Sequence, residues 1–271
     1  MKKTPDSTAL LACAVRAVRA AGRHAQRNAR RRSEVARAAP HDVKLVLDLE
    51  CQRAAESAIR SAFPDHAVLG EEGARPDADA PYEWIVDPID GTVNFYHGLP
   101  LWCSSVAVRR EGEVLAGAVF APELNVLYTA TADGPARRNG RRIRVSDVSD
   151  MRHAIMATGL AARRRESVVS WGVFDVLARR LQRVRILGAA ALDLCHVAAG
   201  SLEGYIETSI YVWDVAAGGL IVRRAGGTTE VLEDLGGNRM RFLATNGRIH
   251  AAARNGVLAC LRKKNAPVLA A

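Results

Sequence analysis

The chain has 271 residues, of which 49% are hydrophobic and 25% are charged, and its formal net charge is +9. These proportions are ordinary for a soluble globular protein, and they exclude a disordered or fibrous chain. The length favours one large domain or two modest ones.

The positive charge is concentrated in two stretches, residues 1–37 and residues 137–144. Within the first stretch, Asp6 and Glu34 are the acidic residues; the second stretch has none. Such clusters suit an anionic substrate, nucleic acid or anionic lipid. Because no aromatic residues are interleaved with the arginines, we favour a solvated helix face and a solvated hairpin.

The cysteines indicate a reducing environment. Their number is odd and no two form a CxxC pair, so neither a disulfide framework nor a zinc site is expected. The five positions are Cys13, Cys51, Cys103, Cys195 and Cys260.

Arg16 and Arg19 interrupt the apolar stretch near the N-terminus too early for a signal peptide or membrane span, so we expect a cytoplasmic protein without a membrane partner.

Residues 1–150 predict two helices followed by strands. Apolar residues recur at helical spacing in 7–32 and 43–62, and Phe63-Pro64 ends the second helix. The predicted strands are 67–69, 84–86, and a meander of 105–110, 114–121 and 126–130. Asn139-Gly140 predicts a hairpin turn, with Ile143 and Val145 continuing the returning strand.

Residues 151–271 alternate between the two kinds of element, so the chain is predicted to be a mixed α/β protein. The predicted strands are 153–158, 184–187, 204–207 and 242–245. The predicted helices are 167–182, 190–199, 213–225 and 248–262, and Gly226-Gly227 stops the third of these. Residues 146–152 form a plausible seam between an N-terminal half, 1–150, and a C-terminal half, 151–271, of one compact unit.

The stretch WIVDPIDGTVNF, residues 84–95, places two aspartates three residues apart behind a buried strand. Pro88 favours an extended Asp87, so this residue ends the strand, and the following turn returns Asp90 to the same side. Two such carboxylates repel each other unless protons or cations lie between them. A divalent metal is one solution, and oxygen ligands favour magnesium- or calcium-like ions over zinc. Taken alone, the stretch is equally typical of turn aspartates.

Backbone groups in the same turn add to this prediction. The Ile89 carbonyl is a further acceptor that could bind a metal. The amides of Gly91 and Thr92 open the next helix, where they would suit a phosphate.

Two further stretches carry carboxylates toward the same region. Glu71 in GEEG, residues 70–73, lies at the end of another strand. Asp214 precedes VAAGG, a run of small residues that predicts a helix able to pack closely against other backbone. Asp214 is expected to cap that helix, and its side chain could still face a metal.

Together, GEEG, WIVDPIDGTVNFYHGLP (84–100) and WDVAAGGLIVRRAGG (213–227) resemble the inositol monophosphatase family of magnesium-dependent, lithium-sensitive phosphatases. The order and spacing of all three motifs match, and the resemblance spans about residues 42–262. It implies a layered α/β/α/β/α sandwich of the sugar-phosphatase type, two or three Mg²⁺ ions per active site, and a homodimer.

The resemblance also implies roles for single residues. One set would bind metal: Glu71, Asp87, the Ile89 carbonyl, Asp90 and Asp214. A second set would position the attacking water: Thr92 with Glu71 and Asp48. A third set would contact the phosphate or the alcohol half of the substrate: Asp90, Gly91, Thr92, Gly188, Ala190, Glu207 and Asp214. One departure is Leu45 in DVKLVLD, residues 42–48, where the family usually has threonine.

Three functions therefore stay open. The first is hydrolysis of inositol monophosphate or a similar small polyol phosphate. The second keeps the enzyme but changes the substrate to 3′-phosphoadenosine 5′-phosphate, fructose 1,6-bisphosphate or histidinol phosphate. The third belongs to another class, a basic protein that binds RNA or the transcription machinery through its arginines, with nucleic-acid binding also conceivable as a side role.

Overall fold

The computed structural model describes residues 6–39, 42–73, 80–160 and 164–265. Lys2 and Lys3 of the first basic stretch lie outside these residues. Within them the α-helices are α1 (Ser7–Arg27), α2 (Val46–Ala62), α3 (Thr92–His97), α4 (Arg164–Ala178), α5 (Ala190–Ala198), α6 (Val212–Arg224) and α7 (His250–Asn265). None of these helices is long and apolar enough to cross a membrane.

Most strands of the first half form one sheet of seven strands. A separate antiparallel pair precedes it, β1 (Val35–Ala39) and β2 (Asp42–Leu45). The seven strands are β3 (Ala67–Gly70), β4 (Glu83–Asp90), β5 (Cys103–Arg110), β6 (Glu113–Ala121), β7 (Val126–Thr131), β8 (Arg137–Arg138) and β9 (Arg141–Arg142), in that order across the sheet. β3 and β4 are parallel, and the remaining pairs are antiparallel, which confirms the predicted meander.

A second sheet of five strands belongs to the C-terminal part of the chain. Its strands are β10 (Ile155–Thr158), β11 (Arg183–Arg185), β12 (Gly204–Tyr211), β13 (Thr228–Gly236) and β14 (Arg239–Thr245). Their order across the sheet is β11-β10-β12-β14-β13.

The helices separate these sheets into five layers. Helices α1 and α2 cover one face of the seven-stranded sheet, and α5 and α6 lie between the two sheets. Helices α4 and α7 cover the outer face of the five-stranded sheet around a third apolar core. The mixed α/β class and the α/β/α/β/α layering are therefore confirmed.

Close backbone approach holds the central layer against the first sheet. A Cβ atom added to Gly117 of β6 would lie 3.0 Å from the Ala217 Cα atom, and one added to Gly218 would lie 2.7 Å from the Leu194 Cβ atom. The small residues of α6 therefore pack directly on β6 and α5, as their run in the sequence predicted.

The ends of both N-terminal helices were predicted wrongly. Helix α1 ends at Arg27 rather than residue 32, because Asn28 caps it and donates its backbone N–H to carbonyls of the last turn. Helix α2 begins at Val46 rather than residue 43, because residues 42–45 pair with β1. Asp48 also accepts a hydrogen bond from the Leu45 N–H group, which fixes this start.

Several strands also differ from the prediction: β1 and β2 were not predicted, and β12 continues to Tyr211. β13 was not predicted, because this edge strand is largely exposed and rich in charged residues. β9 ends at Arg142, so Ile143 and Val145 lie beyond the strand, although the Ile143 amide still bonds the Ala136 carbonyl. β4 continues to Asp90, well past the predicted end at residue 86.

Candidate active site

β4 carries both motif aspartates on one irregular strand. Asp87 pairs with Ser105 and Asp90 with Cys103, and the register shifts between the two pairs. The Ser104 hydroxyl donates to the Pro88 carbonyl at 2.6 Å inside this bulge. A bulge redirects side chains at the end of a strand. Here it allows two carboxylates three residues apart to serve one site.

Three carboxylates meet at this point. Oxygen atoms of Asp87, Asp90 and Asp214 all lie within 4.8 Å of one another. Asp87 and Asp90 are buried, and Asp214 is partly buried. The structure thus brings together three of the five residues that were expected to bind metal.

Asp90 is held by the beginning of α5. Its two carboxylate oxygens accept hydrogen bonds from the Ala190 amide at 3.0 Å and the Ala191 amide at 2.8 Å. Burial raises the pKa of Asp90 to about 6, although the Cys103 thiol and these amides act in the opposite direction. The two amides of α5 therefore fix the orientation of this carboxylate.

Asp87 has no comparable support. Among the described residues, no N–H or hydroxyl group donates to either of its buried carboxylate oxygens. Burial and the nearby Glu71 charge, followed by those of Asp90 and Asp214, raise its pKa well above the usual range. Leaving buried acceptors without a donor is costly, so this arrangement fits a cation that oxygen ligands can bind.

Asp214 and Asp48 occupy equivalent positions on two helices. Each is the third residue of its helix and accepts the backbone N–H of the residue before that helix: Asp214 from Tyr211 at 3.0 Å, and Asp48 from Leu45 at 2.7 Å. Asp214 is therefore not the N-cap residue itself, because α6 begins at Val212 rather than at residue 213. Burial, followed by the Asp90 charge, raises the pKa of Asp214 to about 8.

Glu71 lies in the turn after β3, beside this group but outside the three atoms within 4.8 Å. Its amide donates to the Val86 carbonyl at 3.2 Å, which ties the turn to β4. Burial and the Asp214 charge raise the pKa of Glu71 well above the usual range. The neighbouring Glu72 pairs with Lys44 at 3.0 Å, so the two adjacent glutamates have different environments.

The turn after β4 requires glycine at position 91. Gly91 has φ of +87°, and an added Cβ atom would lie 3.0 Å from the Leu101 carbonyl oxygen. The Thr92 hydroxyl donates to the Ile89 carbonyl at 2.9 Å. The expected metal-binding carbonyl of Ile89 is therefore already an acceptor for one hydrogen bond, and one lone pair remains.

A pocket of about 350 Å³ opens beside the carboxylates. Its lining includes five of the predicted site residues: Asp90, Gly188, Ala190, Glu207 and Asp214. Glu207 accepts a hydrogen bond from the Tyr205 hydroxyl at 2.8 Å. Burial raises the pKa of Glu207 to about 7. Within the described ranges, no Lys, Arg or His side chain lines this pocket.

Sequence reasoning missed three residues of this region. Asn94 donates to the Leu101 and Leu187 carbonyls at 2.7 and 2.8 Å, so it fastens α3 to the loop that carries Gly188. Tyr205 orients Glu207, and Asp193 lines the pocket from α5. Asp193 left a signal in the sequence, because it is the acidic residue within the apolar helix AALDLCHVA.

The layered fold and the buried carboxylates beside a pocket are the features expected of a metal-dependent phosphatase of the sugar-phosphatase type, and comparison with known proteins identifies the family. The inositol monophosphatase family pattern matches residues 6–270. Over 258 residues the chain is 36% identical to the Nus factor SuhB of Pasteurella multocida, covering 94% of this chain and 95% of that protein. The chain belongs to the inositol monophosphatase family, whose members are phosphatases, and the resemblance noted in the sequence is confirmed.

Further relatives and solved structures agree. The fructose-1,6-bisphosphatase/inositol-1-monophosphatase of Thermotoga maritima is 39% identical over 216 residues, covering 77% of this chain and 80% of that protein. The inositol monophosphatase structure from Anabaena superposes with a TM-score of 0.83 at 33% identity, covering 93% of this chain and 96% of that one. The structure of the extragenic suppressor protein suhB from Bartonella henselae superposes with a TM-score of 0.85 at 31% identity, covering 92% of this chain and 98% of that one.

The raised pKa of Glu207 predicts a pH-dependent stability difference. The folded state binds this proton more tightly than the unfolded chain does, so the contribution is complete below about pH 4 and is lost as pH rises to about 7. In the presence of a chelator, the unfolding free energies of Glu207→Gln and the wild type should therefore be equal near pH 4. At pH 8 the unfolding free energy of Glu207→Gln should be higher by up to about 3 kcal/mol.

Chemical denaturation at a series of pH values measures this difference. Asp175→Asn is the control, because Arg179 lowers the pKa of that exposed carboxyl and the difference should have the opposite sign. If the unfolding free energies of the wild type and Glu207→Gln change with pH in parallel, ionisation of Glu207 does not destabilise the folded protein, and the prediction is wrong.

Proposed function

We propose that this phosphatase hydrolyses inositol monophosphate or a similar small polyol phosphate, with Mg²⁺ as its metal. The observation that carries the proposal is the pocket lining: Glu207 faces the space beside the clustered carboxylates, and no basic side chain of the described residues accompanies it. A carboxylate accepts two hydrogen bonds and so suits neighbouring hydroxyl groups. A relative in Mesorhizobium japonicum, 37% identical over 227 residues, is an inositol-1-monophosphatase.

The metal ligands would be the carboxylates of Glu71, Asp87, Asp90 and Asp214 with the Ile89 carbonyl. Two or three Mg²⁺ ions suit this all-oxygen donor set, and the orphaned oxygens of Asp87 support at least one of them. When bound, such ions neutralise the phosphate charge and make a water molecule more acidic.

The remaining roles belong to side chains and amides of the chain. Glu71, Thr92 and Asp48 would orient the attacking water, since the Thr92 oxygen keeps lone pairs after donating to Ile89. The Gly91 and Thr92 amides would hold the phosphate. Gly188, Ala190 and Glu207, which line the pocket, would contact the alcohol half.

The same lining ranks the alternative substrates. A second phosphate, as in fructose 1,6-bisphosphate or 3′-phosphoadenosine 5′-phosphate, would meet carboxylates without a basic partner among the described residues. Histidinol phosphate carries an amino group that the acidic pocket accommodates, so it is the alternative that this observation favours.

We also propose a cytoplasmic location.

Replacing Asp87 tests the metal site. Asp87→Asn removes the negative charge and one of the two acceptor oxygens of the group that lacks hydrogen-bond donors, so phosphate release from myo-inositol 1-phosphate in Mg²⁺ should fall by more than about a hundredfold. Lithium and a chelator should suppress the wild-type reaction. Asp175→Asn, an exposed change on α4, is the matched control and should keep full activity. Near-normal turnover by Asp87→Asn would contradict the proposed metal role.

A second candidate function is nucleic-acid binding, and a specific surface favours it. The hairpin of β8 and β9 pairs Arg137 with Arg142 and Arg138 with Arg141 across its two strands. All four side chains are exposed, and none pairs with a carboxylate in the described part of the chain. Like charges directly opposite each other destabilise a sheet, and a polyanion would relieve this repulsion. The relatives called Nus factor SuhB agree with this candidate.

A salt titration tests this surface. Binding of single-stranded RNA should weaken steeply with salt, and Arg141→Ala/Arg142→Ala should reduce the logarithmic slope by about 1.4, since two phosphate contacts are lost. Arg152→Ala/Arg179→Ala removes two exposed arginines that already pair with aspartates and serves as the control. Absence of RNA binding at low salt, or an unchanged slope in the hairpin variant, would reject this role.

We further propose a homodimer. Val93, Leu99 and Ile186 are half-exposed apolar side chains, and Asn94 links their two segments by its bond to the Leu187 carbonyl. If a second copy covers this patch, Leu99→Asp should shift sedimentation toward the monomer. Leu124→Asp, in the turn after β6, is the control and should sediment as the wild type does. A wild-type monomer at micromolar concentration would contradict the proposal.

A further inference from the structure

Asp193 is a buried carboxylate that lies in the wall of the pocket. It belongs to the first turn of α5, three residues after Ala190, and only 2% of its surface is exposed. It lines the same space as Glu207 and Tyr205. None of the roles given above for metal binding, water activation or phosphate binding uses it.

One oxygen of the Asp193 carboxylate, Oδ1, lacks a hydrogen-bond donor in the described part of the free protein. This atom is fully enclosed. The neighbouring carboxylates differ, because Asp90 accepts two amides of α5 and Glu207 accepts the Tyr205 hydroxyl. Burial, followed by the charges of Asp90 and Glu207, raises the pKa of Asp193 well above the usual range. Such a group is costly to bury unless a donor arrives.

The missing donor is best supplied by a ligand. No Lys, Arg or His side chain of the described residues lines the pocket, so the protein itself offers no charge to pair with Asp193. Asp193 lines the same pocket as Glu207, whose carboxylate accepts the Tyr205 hydroxyl. Two carboxylates without a basic partner among the described residues repel a phosphate, so the group that reaches Asp193 is the alcohol half of a substrate.

We propose that Asp193 is a specificity-determining residue that accepts a hydroxyl group of the alcohol half, beside the hydroxyl contacts of Glu207. The inference rests on the proposed polyol phosphatase function and extends it. Two acceptors in one wall select an alcohol half with several hydroxyl groups over one with none. A site built around substrate hydrogen bonds discriminates strongly against analogues that lack them, because its own polar groups are then left unpaired.

The test compares two substrates that share a phosphate and differ in hydroxyl groups, myo-inositol 1-phosphate and phenyl phosphate. Asp193→Ala should lower kcat/KM for the polyol phosphate by about tenfold or more, mostly by raising KM. The value of kcat/KM for phenyl phosphate should change by less than about twofold. Asp193→Asn keeps one acceptor oxygen and should recover part of the loss. Because Oδ1 has no hydrogen bond to lose among the described residues and burial of the charge is unfavourable, neither variant should lower the Tm of the free protein.

Asp175→Ala is the matched control, an exposed aspartate on another helix, and should leave both substrates unchanged. Unchanged selectivity in Asp193→Ala and Asp193→Asn, with a wild type that prefers the polyol phosphate, would overturn the inference alone. An equal loss on both substrates with a lowered Tm would assign Asp193 a structural role and also overturn it. A wild type that does not hydrolyse the polyol phosphate would overturn the proposed function, and the inference with it.

Discussion

Repulsion among buried carboxylates is the constraint around which this site is built. Asp87, Asp90 and Asp214 place oxygens within 4.8 Å of one another, and the charge of Glu71 acts on Asp87 as well. Bringing such groups together costs folding free energy at neutral pH, which the apolar layers must supply. The arrangement is typical of a protein that gives up stability at its site for the ability to bind a cation.

The fold delivers each carboxylate by a different local device. A bulge in β4 turns Asp87 and Asp90 toward one site, and the first amides of α5 hold Asp90. Asp214 is the third residue of α6 and is fixed by the Tyr211 amide. These elements meet because α5 and α6 lie between the two sheets, where small residues permit close packing. Chain segments more than a hundred residues apart thus converge on a few oxygens.

Apolar periodicity allowed most helices and the meander to be predicted, because that signal is local. The layering and five of the pocket-lining residues were implied by the resemblance of three motifs to a known family. The sequence did not reveal the end of α1 at Asn28 or the exposed edge strand β13, since capping and edge pairing depend on contacts with neighbours. Nor could it show that Asp87 lacks a donor among the described residues while Asp90 accepts two amides of α5. That contrast arises only when α5 packs against β4.

The most direct test of this account is a calorimetric titration of Mg²⁺ into chelator-treated protein at pH 7, repeated in two buffers with different ionisation enthalpies. The raised pKa values of Asp90 and Asp214, about 6 and about 8, mean that a cation binding their charged forms displaces protons. The account predicts saturable binding with net proton release. Absence of binding, or binding without any transfer of protons to the buffer, would contradict it.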